Sequence, residues 1–220
     1  KFAIGEISRE ELMKAEMASY HSPGTCTFYG TANSNQMLME FMGLHLPGAS
    51  FVPPNTPLRT ALTELATKRA LEITSLGKNF TPAYKILDEK AFVNGIVGLM
   101  ATGGSTNLVL HLPAMAKAAG IKLELSDFDD ISGVTPLMAK IYPNGLADVN
   151  HFHAAGGLSY MIAQLLESGY LHNDVQTIMG AGLETYIKEP KLVDDGIEFV
   201  SSSTKSHNEK ILRPVTNPFQ

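Results

Sequence analysis

The longest apolar run in this chain, Ile96 to Ala101, is far too short to cross a bilayer, and the sequence on either side of it is cut into helix-length pieces by caps and breakers. The fold must therefore be assembled from short elements. Ser8-Arg9-Glu10-Glu11 has the Ser-x-x-Glu form of a capping box and opens a predicted helix to about Tyr20, which Pro23-Gly24 interrupts. A second predicted helix runs from about Ala32 to Leu44. Its apolar residues Met37, Phe41 and Leu44 fall at i, i+4 and i+7, so one face is buried. Leu46 to Pro54 is a Pro- and Gly-rich loop. Thr56-Pro57 then places a cap residue before a first-turn proline, and a helix follows to about Thr74.

Further along, Phe92 to Met100 holds Gly95 and Gly98 and reads equally as strand or helix. A helix to about Ala118 follows Gly103-Gly104-Ser105-Thr106-Asn107 and stops at Gly120. Ile121 to Leu125 alternates as a strand does, Asp127 to Gly133 reads as an acidic turn, and Pro136 to Tyr142 as a short helix. Asn150 to Ser168 reads as one longer helix, and Asp174 to Thr177 opens a brief element. Helices separated by short apolar strands imply an α/β layered domain, helix-rich, with a mostly parallel sheet flanked by helices. Residues 1–190 read as part of one domain and residues 191–220 as a polar, turn-rich segment.

With 44% hydrophobic residues the chain can build a sizeable core. Its formal net charge is -5 and it has no cluster of Lys and Arg, which argues against nucleic acid as a partner. Cys26 is the single cysteine, so no disulfide can form within the chain; this fits a reducing compartment such as the cytoplasm. Lys1 to Glu11 lacks the apolar core of a signal peptide, and no membrane partner is expected. The start at Lys1-Phe2-Ala3 and the loop-like end at Asn217 to Gln220 read as an internal piece of a longer protein.

Three features can carry chemistry. Cys26, in Gly24-Thr25-Cys26-Thr27, sits in a turn before a helix, where nearby N–H groups and the helix dipole favour thiolate. It can serve as a nucleophile or as a metal or cluster ligand; the plainer alternative is a small buried hydrophobe. Gly103 to Asn107 has the glycines and the following helix start of an anion-binding turn, with Ser105, Thr106 and Asn107 as added donors. Loop-and-cap chemistry explains the same residues. His151 and His153, at i and i+2, point to different faces of a helix, so at most one faces a site. No arginine lies near these motifs in sequence, since Arg9, Arg59, Arg69 and Arg213 are elsewhere. An anion at Gly103–Asn107 would therefore be held by backbone N–H groups.

The run from Glu16 through His21-Ser22-Pro23-Gly24-Thr25-Cys26 to Met37 resembles the dihydroxy-acid and phosphogluconate dehydratase family, nearest its phosphogluconate branch. The resemblance continues through Gly43 to Gly48, Ala101 to Asn107, Tyr142 to Phe152 and Leu171 to Val175, so it covers nearly the whole chain. It implies the N-terminal α/β domain of an iron–sulfur hydro-lyase, with a 4Fe-4S cluster, that removes water from a phosphorylated sugar acid, 6-phosphogluconate. It further implies a cytoplasmic homodimer with a separate C-terminal β-barrel-like domain. By the same resemblance Cys26 matches the last of the cluster cysteines. Gly103, Gly104, Ser105, Thr106, Asn107 and His151 become candidate substrate contacts. The family's Cys-Asp-Lys-x-x-Pro-Gly and Asp-Gly-Arg-x-Ser-Gly signatures do not occur here, so the catalytic base is expected outside this chain. The chain by itself is expected neither to hold a full cluster nor to turn over. Two alternatives stand beside this reading: a dihydroxy-acid or other aldonate dehydratase of the same family, and a non-catalytic sugar-acid-binding module.

Overall fold

The computed structural model describes residues 1–18, 26–194 and 196–220. Pro23-Gly24 and the turn leading into Cys26 lie outside the described residues. The expected helices form where their caps stand. Ser8 and Glu11 close a capping box on α1 (Arg9–Met17). Thr56 Oγ1 accepts from the Arg59 N–H at the start of α3 (Pro57–Glu72). Between them α2 (Thr31–Phe41) buries Met37, Leu38 and Phe41.

The ambiguous Phe92–Met100 run is helical. It lies in α5 (Glu89–Thr102), which follows the short α4 (Ala83–Ile86). Helix α5 is buried almost all round, as a helix apolar on every side must be, and its glycines explain how. Gly95 and Gly98 form a smooth strip on which Leu38, Met42, Phe41 and Met37 lie, so α2 and α5 pack closely. Asn94, buried in α5, is satisfied by a reciprocal pair with the backbone of His172: its Oδ1 accepts from the N–H at 2.8 Å and its Nδ2 donates to the C=O at 2.9 Å.

Helix α6 (Leu108–Ala118) follows as expected. The mostly parallel sheet does not. Among the described residues the two sheets are antiparallel pairs, β1 (Gln176–Thr177) with β2 (Gly180–Ala181) and β3 (Lys188–Val193) with β4 (Gly196–Ser201). The one parallel pairing is an isolated bridge between Ile141 and Ala147. The reason is local. The Phe92–Met100 run is spent on a helix. The Ile121–Leu125 segment stays extended but unpaired, and its last residue starts α7 (Leu125–Val134) behind a cap formed by Glu124 and Asp127. That cap turns the expected acidic turn into helix. Pro136 to Tyr142 is extended rather than helical, since Ala101 C=O takes the N–H groups of Met138 and Ala139, and Met138 C=O takes that of Arg213. The helix expected over Asn150–Ser168 breaks at Gly156, whose φ of 133° suits glycine, giving α8 (Val149–Ala154) and α9 (Gly157–Glu167).

The polar C-terminal stretch returns to the core. Leu212 is fully buried and bridges Ala139, and Leu137 exchanges backbone hydrogen bonds with Phe219 and Gln220. No helix among the described residues is long and apolar enough to cross a membrane.

Candidate functional site

Cys26 enters its position through backbone contacts on both sides. The amide Nδ2 of Asn33, buried in the first turn of α2, donates to the carbonyls of Cys26 at 2.8 Å and Phe28 at 2.6 Å. Thr27 C=O accepts from the Val149 N–H at 3.1 Å, and the Tyr29 N–H donates to Tyr142 C=O at 2.8 Å. These bonds bring the segment before α2 against the start of α8. The Cys26 thiol is exposed, so the small buried hydrophobe is excluded. It lines a cleft of about 410 Å³, together with Gln36 of α2, Ser50 to Pro54, Arg59 of α3, and Asn150 of α8.

The loop carrying Ser50 to Pro54 is shaped by a buried acid, Glu40, and a half-buried guanidinium, Arg59. The Glu40 carboxylate, fully buried at the end of α2, accepts from Gly48 N–H at 2.7 Å, Ser50 N–H at 3.2 Å and Ser50 Oγ–H at 2.6 Å. From the other side the Arg59 guanidinium donates to the carbonyls of Ala49 and Val52. Burial raises the Glu40 carboxyl to about 7, against the pull of the Ser50 and Gly48 hydrogen bonds and of the Arg59 charge. Burial also lowers the pKa of Arg59, opposed by the charge of Glu40. His45 and His153 are depressed by burial first and by Arg59 second.

Among the described residues Arg59 is the one charged residue lining the Cys26 cleft, and no carboxylate lines it. Across the cleft Asn150 Nδ2 is buried and meets no acceptor among the described residues. An unsatisfied buried donor costs about 1–3 kcal/mol, so it marks a place where a partner belongs.

The other sequence candidates lie elsewhere. Gly103 is the left-handed C-cap of α5, with φ of 62°. Its N–H and that of Gly104 return to carbonyls of α5. The Ser105 N–H donates to Ser34 Oγ at 2.9 Å, and the Asn107 N–H to Ser105 Oγ at 3.3 Å. Ser105 Oγ lies 3.1 Å from Thr31 Oγ1, to which Asn107 Nδ2 also donates at 2.7 Å. The N–H groups of Gly103, Gly104, Ser105 and Asn107 are thus engaged within the protein, where they end α5 and, with the Ser105 and Asn107 side chains, tie the turn to the first turn of α2. The turn flanks the helix that carries Asn33 and Gln36 but does not line the cleft. His151 caps α8, its Nδ1 2.8 Å from Asp148 Oδ1, and His153 lines a small cavity with Glu40 and Glu189.

Arg59 and Asn150 escaped the sequence reading because the cleft is assembled from three distant stretches that share no spacing. The one available hint for Arg59 was its place three residues after a helix cap, next to a loop whose carbonyls need donors.

The helix-rich domain with an exposed cysteine lining a polar cleft takes its class from comparison with known families. The chain belongs to the dihydroxy-acid/6-phosphogluconate dehydratase family, whose N-terminal model matches residues 1–186. It is 60% identical over 220 residues to the phosphogluconate dehydratase of Rhizobium meliloti (strain 1021), a match covering 100% of this chain and 36% of the relative. It is 57% identical to that of Pseudomonas aeruginosa, over 99% of this chain and 36% of the relative. The dihydroxy-acid dehydratase of Ignicoccus hospitalis is 38% identical over 98% of this chain and 36% of its own length. The chain thus spans about a third of the length of the curated relatives it matches.

Proposed function

We propose that the protein containing this chain dehydrates 6-phosphogluconate to 2-dehydro-3-deoxy-6-phosphogluconate in the Entner–Doudoroff pathway, and that this chain contributes one wall of the active site. The observation that carries the reading is the similarity gap: 60% identity to a phosphogluconate dehydratase against 38% to a dihydroxy-acid dehydratase, over nearly the same residues. The family resemblance supports a 4Fe-4S cluster, a cytoplasmic location and a homodimer.

The residues present fit one corner of such a cluster. Cys26 is exposed on the cleft, and a thiolate is the usual cluster ligand. Among the described residues no group of three His, Cys, Asp or Glu could hold a metal ion, so the other corners belong to the rest of the parent protein. When bound, the cluster supplies Lewis acidity, which a hydroxide leaving group requires. The chain's own residues do the positioning. Asn33 fixes the Cys26 backbone, Glu40 and Arg59 fix the loop opposite, and the cleft between them admits a polar ligand. The base that takes the C2 proton lies outside this chain.

The test is turnover by the full-length protein on 6-phosphogluconate, on 2,3-dihydroxy-isovalerate and on gluconate. The expected result is a kcat/KM for 6-phosphogluconate at least about a hundredfold above the others, a gap of roughly 3 kcal/mol in transition-state binding. Equal or greater efficiency on either of the other acids would overturn the substrate assignment.

A further inference from the structure

We infer that Asn150 and Arg59 form the subsite for the substrate's carboxylate in the cleft that Cys26 lines; the inference rests on the functional reading above. Three observations meet in one cleft. The Asn150 Nδ2 donor is buried and lacks an acceptor among the described residues. Among the described residues Arg59 brings the cleft's one charged side chain and its Nη1 makes no hydrogen bond, while Nε and Nη2 hold the Ala49–Val52 loop. Among the described residues no carboxylate lines the cleft to repel an incoming anion; Glu40, whose charge acts on Arg59, is buried against Gly48 and Ser50 instead. A buried amide donor and a partly buried guanidinium, in a cleft that no acid among the described residues lines, recognise an anionic oxygen.

The chemistry selects which anion. Dehydration removes the C2 proton and the C3 hydroxyl. The C1 carboxylate is bonded to C2, whereas the phosphate on C6 lies three carbons beyond C3. A cleft shared with Cys26 is therefore the place for the carboxylate. Asn150 is a binding residue that stability alone does not explain, because its side chain keeps a donor unsatisfied in the free protein.

That trade-off gives the test. In the full-length protein, gluconate serves as the carboxylate probe and glucitol 6-phosphate as the phosphate probe, with binding read by calorimetry. Asn150→Asp, which sets a like charge against the anion, is expected to weaken gluconate by about tenfold or more and to change glucitol 6-phosphate by no more than about twofold. Asn150→Ala is expected to weaken gluconate similarly, to raise KM for 6-phosphogluconate more than it lowers kcat, and to unfold at the same or a higher temperature than wild type. Unchanged gluconate affinity in a folded Asn150→Ala protein overturns the proposal. So does a loss confined to glucitol 6-phosphate, which would make this the phosphate site, or an equal loss of both probes, which would mark a purely structural role. A wild-type protein that binds gluconate in an Asn150-dependent way without dehydrating 6-phosphogluconate would sink the functional reading and leave the subsite standing.

Discussion

Glu40 shows how much a single buried acid can organise. It sits at the end of α2 with three donors from Gly48 and Ser50, and Arg59 grips the same loop from α3. Its carboxyl is raised by burial to about 7 from an ordinary value of 4.5. The folded state thus holds this proton more tightly than the unfolded chain. The stability that follows is fully present below about pH 4.5 and is lost as pH rises through about 7, amounting to roughly 3 kcal/mol for this one group. Glu40→Gln should remove that slope. Comparing urea midpoints at pH 5 and pH 8, wild type should lose more stability on going to pH 8 than the variant does. Parallel losses in the two proteins would show that Glu40 does not titrate in this range. At this scale the sequence was only partly legible. Cys26 could be read from its turn, because the signal is local. Glu40, Arg59 and Asn150 could not, because their meaning comes from partners 10 or more residues away, in Ser50, Ala49 and the Cys26 segment.

Helices were legible where a cap marks an end and a period marks a face, as in α1, α2 and α3. They were not where glycine serves packing rather than punctuation. Gly95 and Gly98 made the α5 sequence ambiguous, yet they are the reason α2 lies so close. A Cβ at Gly98 would stand 2.6 Å from Phe41 Cγ and 2.8 Å from Cδ1, both in a ring only 1% exposed. Two effects compete in Gly98→Ala. Helix propensity favours alanine by about 1 kcal/mol. Overpacking against a ring that cannot withdraw costs about 1–3 kcal/mol. The second should win, with a net loss of up to about 2 kcal/mol in urea unfolding. A stabilised variant would mean that the α2–α5 contact is looser than described. The same logic explains the Gly103–Asn107 turn: its glycines and hydroxyls suit an anion site, but they are used to end one helix and anchor the next on α2.

Across the whole molecule the helices act as a frame that holds two loops, the Cys26 segment and Ser50–Pro54, on opposite sides of one cleft. The frame supplies a single thiol to it. A cluster needs several ligands, and the relatives are long enough to provide them, since this chain covers 36% of their length. If Cys26 is one of those ligands, its loss should be felt in metal content before it is felt in folding. The thiol is exposed and its one hydrogen bond among the described residues, to Phe28 C=O at 3.9 Å, is weak. Cys26→Ser in the full-length protein should therefore keep its far-ultraviolet circular dichroism and its melting profile for this domain, while iron, sulfide and dehydration activity fall together. The alternative role, a thiolate nucleophile, separates cleanly: there the variant would lose activity and keep its iron. Iron at the wild-type level in Cys26→Ser, whatever the activity, would remove Cys26 from the ligand set and leave the cleft to its polar residues alone.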